Sequence, residues 1–141
     1  MDTRGWTLVE LSILLLLLGL AGGSSAAFIR RQHDLLAVRS AARALEGLFF
    51  QVRQTALLRG SAELVIEVGP PARAWIRGDQ VDTLRLAEWG AEVEIAGGYP
   101  LTEVRYGPDG LGQVASRTIV VRVREAERSI VVSSYGRVEV R

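Results

Sequence analysis

The chain contains no cysteine and no lysine, and His33 is its only histidine. Without cysteine it can form no disulfide, no thiolate nucleophile and no cysteine-ligated metal site. Without lysine it has neither a Schiff-base amine nor the lysine of a phosphate-binding loop, and one histidine cannot build a histidine cluster for a metal. The formal net charge of +1 favours no particular partner. Only carboxylates, hydroxyls and arginines remain for chemistry, and we expect no bound cofactor.

The candidate acid–base and metal groups are better explained as surface and turn residues. Asp79 and Asp82 are close in sequence, as are Glu92 and Glu94, and paired carboxylates can exchange protons with a substrate. Alternating charges along a strand, however, usually form its solvated face. Asp109 lies in a Gly-Pro-Asp-Gly turn, where a single carboxylate is more often a turn-forming residue than a calcium ligand. We therefore predict no catalytic residue and no metal site, and expect that the protein is not an enzyme.

An apolar run covers residues 6–29 and contains one charged residue, Glu10. As a helix it would be about 36 Å long at ~1.5 Å per residue, enough to cross a hydrocarbon core of about 30 Å. A secretory signal peptide, with small residues at 24–26, and a plain signal anchor are two interpretations of such a run. A carboxylate inside an apolar helix costs about 2.5–3.5 kcal/mol on insertion scales. Glu10 therefore indicates a cationic partner, which neither of these two interpretations supplies.

The segment Gly5-Trp6-Thr7-Leu8-Val9-Glu10-Leu11 resembles the prepilin processing motif of type IV pilins and type II secretion pseudopilins. The resemblance implies that a membrane peptidase cuts after Gly5, that Trp6 becomes the methylated N-terminus, and that Glu10 is the glutamate at the fifth position of the mature chain. Trp6 departs from the Phe or Met usual there. A freed amine at Trp6 is a cation on the same helix face as Glu10. The family favours pairing with a neighbouring subunit's amine, which sets the axial register during assembly.

The orientation in the membrane is predicted from the resemblance rather than from charge. Arg4 precedes the apolar run, whereas Arg30, Arg31, Arg39 and Arg43 follow it, and the positive-inside rule would place the large domain in the cytoplasm. The resemblance implies the opposite: a leader at residues 1–5, a single transmembrane span at 6–29 in the bacterial inner membrane, and the C-terminal domain in the periplasm.

After residue 29 the pattern becomes amphipathic. Apolar residues recur at spacings of three and four and form one helical stripe: Leu35, Val38, Ala42, Leu45, Phe49, Val52 and Ala56. Gly60 is the predicted C-cap. We therefore expect one helix from Trp6 to about Arg59, with residues 30–60 packed on a sheet. Small residues at 19–25 either permit close helix packing or form a weak point that unwinds on assembly, and both alternatives stay open.

From residue 62 the hydrophobic period changes to two, which indicates strands. Eight are predicted, at residues 62–68, 73–77, 81–86, 91–95, 103–106, 117–124, 128–132 and 137–140. Gly- and Pro-rich turns separate them, and residues 125–127 are expected to link the sixth and seventh as a hairpin. Short strands at about ten-residue spacing favour antiparallel sheets. The predicted fold class is α+β, with a long N-terminal helix on an antiparallel β domain at residues 61–141, and the resemblance to pilins implies that this domain is β-sandwich-like.

Three further segments, residues 54–60, 106–110 and 134–138, resemble the GspH/FimT branch of minor pseudopilins and pilins. This resemblance implies three kinds of partner: other pseudopilins or pilins, a prepilin peptidase and an inner-membrane assembly platform. The leading hypothesis is a minor pseudopilin of a type II secretion system. The alternatives are a minor pilin of a type IV pilus, for pilus priming or DNA uptake, and a signal-anchored periplasmic binding module.

The last predicted strand carries Arg137, Glu139 and Arg141 on one face. Some FimT-like pilins serve DNA uptake through arginines near the C-terminus, so Arg137 and Arg141 are candidate nucleic-acid contacts. Glu139 would offset part of their attraction for phosphate, and we expect no aromatic platform beside them on which bases could stack. We therefore prefer a surface strand with paired charges to a nucleic-acid partner.

Overall fold

The structure, a computed structural model, describes residues 7–78, 83–113 and 116–141, without the side chains of residues 21–26. Within these residues the chain forms one long helix, α1, then eight strands, with a short 3₁₀ helix, Leu86–Trp89, between the third and the fourth. The bounds are α1 Leu8–Arg59, β1 Ala62–Glu67, β2 Arg73–Ile76, β3 Leu84–Arg85, β4 Glu92–Ile95, β5 Leu101–Tyr106, β6 Arg117–Val123, β7 Ala126–Val132 and β8 Val138–Val140. By its internal packing the chain divides into two units, residues 1–33 and 34–141.

In the first unit, the described residues 8–33 belong to α1, and its large apolar side chains are exposed. They are Leu8, Val9, Leu11, Ile13, Leu14, Leu15, Leu16, Leu17, Leu18, Leu20, Phe28 and Ile29. Among the described residues, no helix combines the length and the mean hydropathy needed to cross a membrane. The predicted span at residues 6–29 includes Trp6 and the side chains of residues 21–26, which lie outside the description.

In the second unit, the predicted stripe of α1 is confirmed as the buried face of the helix. Val38, Ala42, Leu45, Phe49, Val52 and Ala56 are buried, and Leu35 is half-buried. The buried face is wider than predicted, because Ala41 and Leu48 belong to it as well. A 3.6-residue repeat places these side chains on one stripe, and removing that stripe from water is the main stabilisation that such a helix gains.

The strands form two antiparallel four-stranded sheets. The first has the order β3-β2-β1-β5 and the second β4-β6-β7-β8. In the first sheet, Leu64 pairs with Ile76 on one side and with Val104 on the other. In the second, Ile119 pairs with Ile95 and with Ile130. All of these residues except Ile95 belong with the buried stripe of α1 to one hydrophobic core, so the predicted sandwich-like α+β architecture is confirmed.

The third predicted strand, residues 81–86, is partly wrong. Residues 81 and 82 lie outside the described chain, β3 is only Leu84–Arg85, and Leu86 begins the 3₁₀ helix. The backbone N–H of Leu86 donates to the carbonyl of Ala72 at 3.1 Å, and Gly90 ends the turn with a positive φ of 63°. Burial of Leu86 in the core makes the chain turn here from the first sheet to the second, a tertiary effect that strand periodicity cannot reveal.

The hairpin link predicted at residues 125–127 is also displaced. Ala126 already pairs with Val123 in the ladder, so the turn consists of Arg124 and Glu125. Arg124 has a positive φ of 53°, which is unusual for a residue with a side chain. Its guanidinium donates to the carboxylate of Asp34 at 3.1 Å, and this ion pair to α1 helps to hold the turn.

Candidate functional site

The start of α1 is a capping box built by Thr7 and Glu10. The Glu10 carboxylate accepts hydrogen bonds from the Thr7 backbone N–H at 2.9 Å and from the Thr7 hydroxyl at 3.0 Å. The Thr7 hydroxyl accepts the Glu10 backbone N–H in return, at 3.3 Å. This reciprocal pairing satisfies backbone donors that would otherwise lack partners at a helix N-terminus. The Thr-x-x-Glu spacing typical of a capping box is present in the sequence, although this role of Thr7 was not predicted from it.

The other two residues of the predicted processing site, Gly5 and Trp6, lie outside the described residues. Cleavage after Gly5, methylation of Trp6 and the assembly role of Glu10 therefore stay predictions. Glu10 is nevertheless the one charged residue between positions 8 and 29, and the large apolar side chains described around it are exposed. The carboxylate is thus at the exposed end of an apolar helix.

The three segments that carry the family resemblance in the domain, residues 54–60, 106–110 and 134–138, contact one another. Together with the adjoining residues 111–113 and 133 we call them the turn cluster. The Tyr106 hydroxyl, itself buried, donates to the Gly136 carbonyl at 2.9 Å. A Cβ built on Gly110 would lie 3.1 Å from Leu57, so this turn lies directly against α1. Burial raises the pKa of the Tyr106 hydroxyl, and the positive charge of Arg53 lowers it by a smaller amount.

Two glycine backbones touch within the turn cluster. A Cβ on Gly112 would lie 2.5 Å from the Gly136 Cα, and a Cβ on Gly136 would lie 2.6 Å from the Tyr106 ring. The Gly112 N–H donates to the Tyr135 carbonyl at 3.0 Å, and Gly112 also bridges to Tyr106. This contact joins the segment after β5, in the first sheet, to the β7–β8 turn of the second. Only residues without a side chain permit such an approach.

Asp109 has the turn-forming role that the sequence analysis preferred. Its carboxylate accepts the backbone N–H of Leu111 at 3.1 Å, and the Gly110 N–H donates to the Gly107 carbonyl at 2.9 Å. Glu92 and Glu94 are exposed on β4, Glu92 opposite Arg122 in the register. The predicted pair of Asp79 and Asp82 lies outside the described residues. In the part of the chain that the structure describes, no group of three or more His, Asp or Glu side chains could hold a metal ion.

The C-terminal arginines differ in their surroundings. The Arg141 guanidinium donates to both carboxylate oxygens of Glu139, at 3.2 and 3.3 Å. These bonds lower the pKa of the Glu139 carboxyl, with smaller contributions from the charges of Arg141 and Arg137. Arg137 precedes β8 and lines a groove beside Phe50 and Tyr106 instead. Arg137 and Arg141, the two candidate nucleic-acid contacts, thus have different surroundings, and their binding role stays a prediction. The side chains of Phe50 and Tyr106, which are distant in sequence, lie in the same groove as Arg137.

A charged cluster covers the outer face of the first sheet. Glu63, largely buried on β1, pairs with Arg77 and Arg105, each at 3.2 Å, and Arg77 also pairs with Glu103. Each carboxylate is paired, which is typical of a structural ion-pair network rather than of a proton-transfer site. We find no arrangement among these described groups that would activate a nucleophile.

No protein-family model matches this sequence, and no curated protein matches it. Among solved structures, the chain is similar to the crystal structure of the type IV minor pilin FimU of Pseudomonas aeruginosa (strain PAO1). The TM-score is 0.57 at 13% sequence identity, and the match covers 81% of this chain and 92% of that one. The chain has the fold of a type IV pilin. The pilin fold accounts for the long helix, its buried stripe and the antiparallel domain together.

Proposed function

We propose that this protein is a minor subunit of a pilin-like filament, with a minor pseudopilin of a type II secretion system as the leading assignment. One observation carries the proposal: a pilin fold whose helix begins with an exposed apolar segment bearing the single charge of Glu10. An exposed apolar helix is unfavourable in water. Insertion in a bilayer, or packing among the helices of a filament, would remove that surface from water. The role is then structural and mechanical rather than catalytic.

Residues 1–5 are proposed as a leader that a prepilin peptidase removes after Gly5, with methylation of the new N-terminus at Trp6. The freed amine brings a cation next to the Thr7–Glu10 capping box. The carboxylate can then leave the Thr7 hydroxyl and pair with the amine of a neighbouring subunit. An ion pair in an apolar surrounding is far stronger than in water, so this contact would fix the axial register of the subunit.

The proposed location is the bacterial inner membrane, with residues 6–29 as the anchor and the β domain in the periplasm. Support comes from the length and apolar character of that run. The partners are other pseudopilins or pilins and the inner-membrane assembly platform. Extraction of the anchored subunit into the tip of a short filament would let the filament push or sort secreted cargo.

A minor pilin of a type IV pilus is the second candidate, and the likeness to FimU, a type IV minor pilin, favours it. At 13% identity that likeness concerns the fold, which both filament classes would share under this proposal. A signal-anchored binding module is the remaining alternative. It would have no use for a carboxylate placed next to a freed amine.

The proposal is tested by co-producing the full chain with a prepilin peptidase and measuring the N-terminus by mass spectrometry. We expect a mature chain that begins at Trp6 and carries one added methyl group, and we expect Gly5→Ala to retain the leader. Filament incorporation is then compared between Glu10→Gln and Thr7→Ala. Glu10→Gln removes the charge, whereas Thr7→Ala removes only the capping hydroxyl and keeps the carboxylate.

Glu10→Gln should reduce incorporation at least tenfold, because a buried or membrane-embedded ion pair that loses one charge leaves the other unpaired. Thr7→Ala should process and assemble nearly as the natural chain does. Protein that still begins at Met1 in the presence of active peptidase would rule out the pilin-like role. Equal assembly of Glu10→Gln and the natural chain would leave the capping box as the only function of Glu10.

A further inference from the structure

The groove between α1 and the β7–β8 turn differs from the rest of the domain surface in its chemistry. It encloses about 200 Å³ and is lined by Glu46, Phe49, Phe50, Arg53, Tyr106, Gly136, Arg137 and Val138. The groove is partly open to solvent and has room for one or two side chains of a partner.

Two guanidinium groups lie at this groove without a carboxylate partner. Among the described residues, neither Arg53 nor Arg137 forms an ion pair, whereas Arg77, Arg105 and Arg141 are each bound to a glutamate. An arginine already bound to a carboxylate attracts a second anion only weakly, because its charge is largely neutralised. Unpaired ones offer the planar, two-pronged donor geometry that fits a carboxylate. The groove thus presents two positive groups that form no ion pair with a described carboxylate.

The backbone of Arg137 and the side chain of Arg53 are held in place before any partner binds. The Arg137 backbone N–H donates to the Ser133 hydroxyl at 3.0 Å, and its carbonyl accepts the Ser133 N–H at 2.8 Å. A Cβ built on Gly110 would lie 3.3 Å from the Nε of Arg53, so the Arg53 side chain packs against the turn at Gly110. Groups fixed in advance lose less conformational entropy on binding. This favours a recognition site over two mobile surface charges.

An apolar contact lies beside the cations. Phe50 is 63% exposed at the groove, while its neighbour Phe49 is buried in the core. An exposed aromatic next to unpaired arginines is the composition that is enriched at the centres of protein interfaces. An occupant that fits would carry a carboxylate with a large apolar side chain next to it.

We propose that this groove binds an acidic, partly apolar segment of a different subunit in the same filament, an inference that rests on the proposed filament role. Glu46, in the same lining as the two arginines, favours a polypeptide over a nucleic acid. A nucleic acid presents a phosphate at every nucleotide, and one of these would face the Glu46 carboxylate. A peptide can place a carboxylate at the arginines and a backbone N–H at Glu46. The Glu139–Arg141 pair also breaks the run of positive charge beyond Arg137, and single-stranded nucleic acid binds along continuous positive tracks.

The test uses the purified full chain in detergent and a fluorescein-labelled peptide of alternating Asp and Leu residues, with binding followed by fluorescence anisotropy. Arg137→Gln and Arg53→Gln should each weaken binding about tenfold, as expected when a hydrogen bond to a charged group is lost. Arg85→Gln, an exposed arginine on β3, is the matched control and should not change the affinity. Phe50→Ala should abolish the preference for Asp-Leu over an Asp-Ser peptide.

The proposal is overturned if the peptide shows no saturable binding, or if Arg85→Gln weakens binding as much as Arg137→Gln. It is also overturned if an oligothymidylate binds through the two arginines and the acidic peptide does not. A third contrary result is that the chain self-associates through this groove and that Arg137→Gln abolishes the self-association. N-terminal processing of Arg137→Gln is measured in parallel. Normal processing with failed peptide binding removes the groove hypothesis alone, whereas absent processing of the natural chain removes the filament role.

Discussion

In the turn cluster, one buried side chain connects the two sheets through a hydrogen bond that is out of contact with water. Tyr106 is 1% exposed, and its hydroxyl donates its hydrogen bond to the buried Gly136 carbonyl. Tyr135 is next to the same glycine in sequence but is 73% exposed. The two tyrosines therefore allow a buried phenol to be compared with an exposed one within the same turn cluster.

We expect Tyr106→Phe to lower the free energy of unfolding by about 1–2 kcal/mol, because the Gly136 carbonyl loses its partner in a buried position. Tyr135→Phe should change it by less than about 0.5 kcal/mol. Urea unfolding of the full chain in mild detergent, followed by tryptophan fluorescence, measures both. Equal stability of the two variants would mean that the Tyr106 hydrogen bond contributes nothing net.

The stability difference between the natural chain and Tyr106→Phe should depend on pH, and its direction follows from the pKa of Tyr106. Burial raises the pKa of Tyr106 in the folded state above its usual value of about 10. The contribution of the Tyr106 hydroxyl to the free energy of unfolding is therefore complete below about pH 10. It is lost as the pH rises through the folded-state pKa, because the unfolded chain releases the proton at a lower pH. The stability difference between the natural chain and Tyr106→Phe should shrink in that alkaline range, while Tyr135→Phe should follow the natural chain throughout.

Among the secondary-structure elements, α1 is capped differently at its two ends. Thr7 and Glu10 cap its start through side chains. Gly60 ends it through backbone conformation, with φ at +87° and its N–H donating to the Ala56 carbonyl at 2.8 Å. The sequence predicted a helix from Trp6 to about Arg59 with Gly60 as its C-cap, and α1 runs from Leu8 to Arg59. The capping role of Thr7 and Glu10 was not predicted, although its signal is local.

Two glycines on or beside this helix should respond in opposite directions to alanine. Gly60→Ala should cost about 1 kcal/mol, because a side chain disfavours positive φ even though no atom lies within 4 Å of the new Cβ. Gly47→Ala, inside the helix and exposed, should stabilise by about 0.8–1 kcal/mol, since alanine is the better helix former. Thermal unfolding followed by circular dichroism resolves the two signs, and a loss of stability in Gly47→Ala would indicate a neighbour that the described residues do not show.

At the scale of the whole molecule, the fold is closed by contacts between segments far apart in sequence. The segment after β5 and the β7–β8 turn meet through Gly112 and Gly136, and Tyr106 spans the same junction. The charged cluster around Glu63 and the Asp34–Arg124 pair fix other parts of the sandwich. None of these pairings is local, so a sequence pattern can name the residues without placing them together.

Gly112→Ala should be the most destabilising of these changes, by about 3 kcal/mol or more, because its Cβ would meet the Gly136 backbone at 2.5 Å and neither chain can move without breaking hydrogen bonds. Gly98→Ala is the control. Its φ of +72° carries the strain of a left-handed residue, but nothing lies within 4 Å of the new Cβ, so we expect a loss of about 1 kcal/mol. Similar losses in the two variants, measured by urea unfolding, would contradict the close contact.

The long helix, its buried stripe and the strand-rich domain could be predicted from the sequence, because each depends on hydrophobic periodicity. The candidate processing site rests on a short run of neighbouring residues and stays a prediction. The tertiary structure was needed to show that Leu86 turns rather than extends and that Arg124 and Glu125 form the turn of the β6–β7 hairpin. It also brought Arg53 and Phe50 of the helix to the same groove as Arg137. The physical reason is that periodicity records which face of an element leaves water, whereas the neighbour across that face is set by packing with residues distant in the chain.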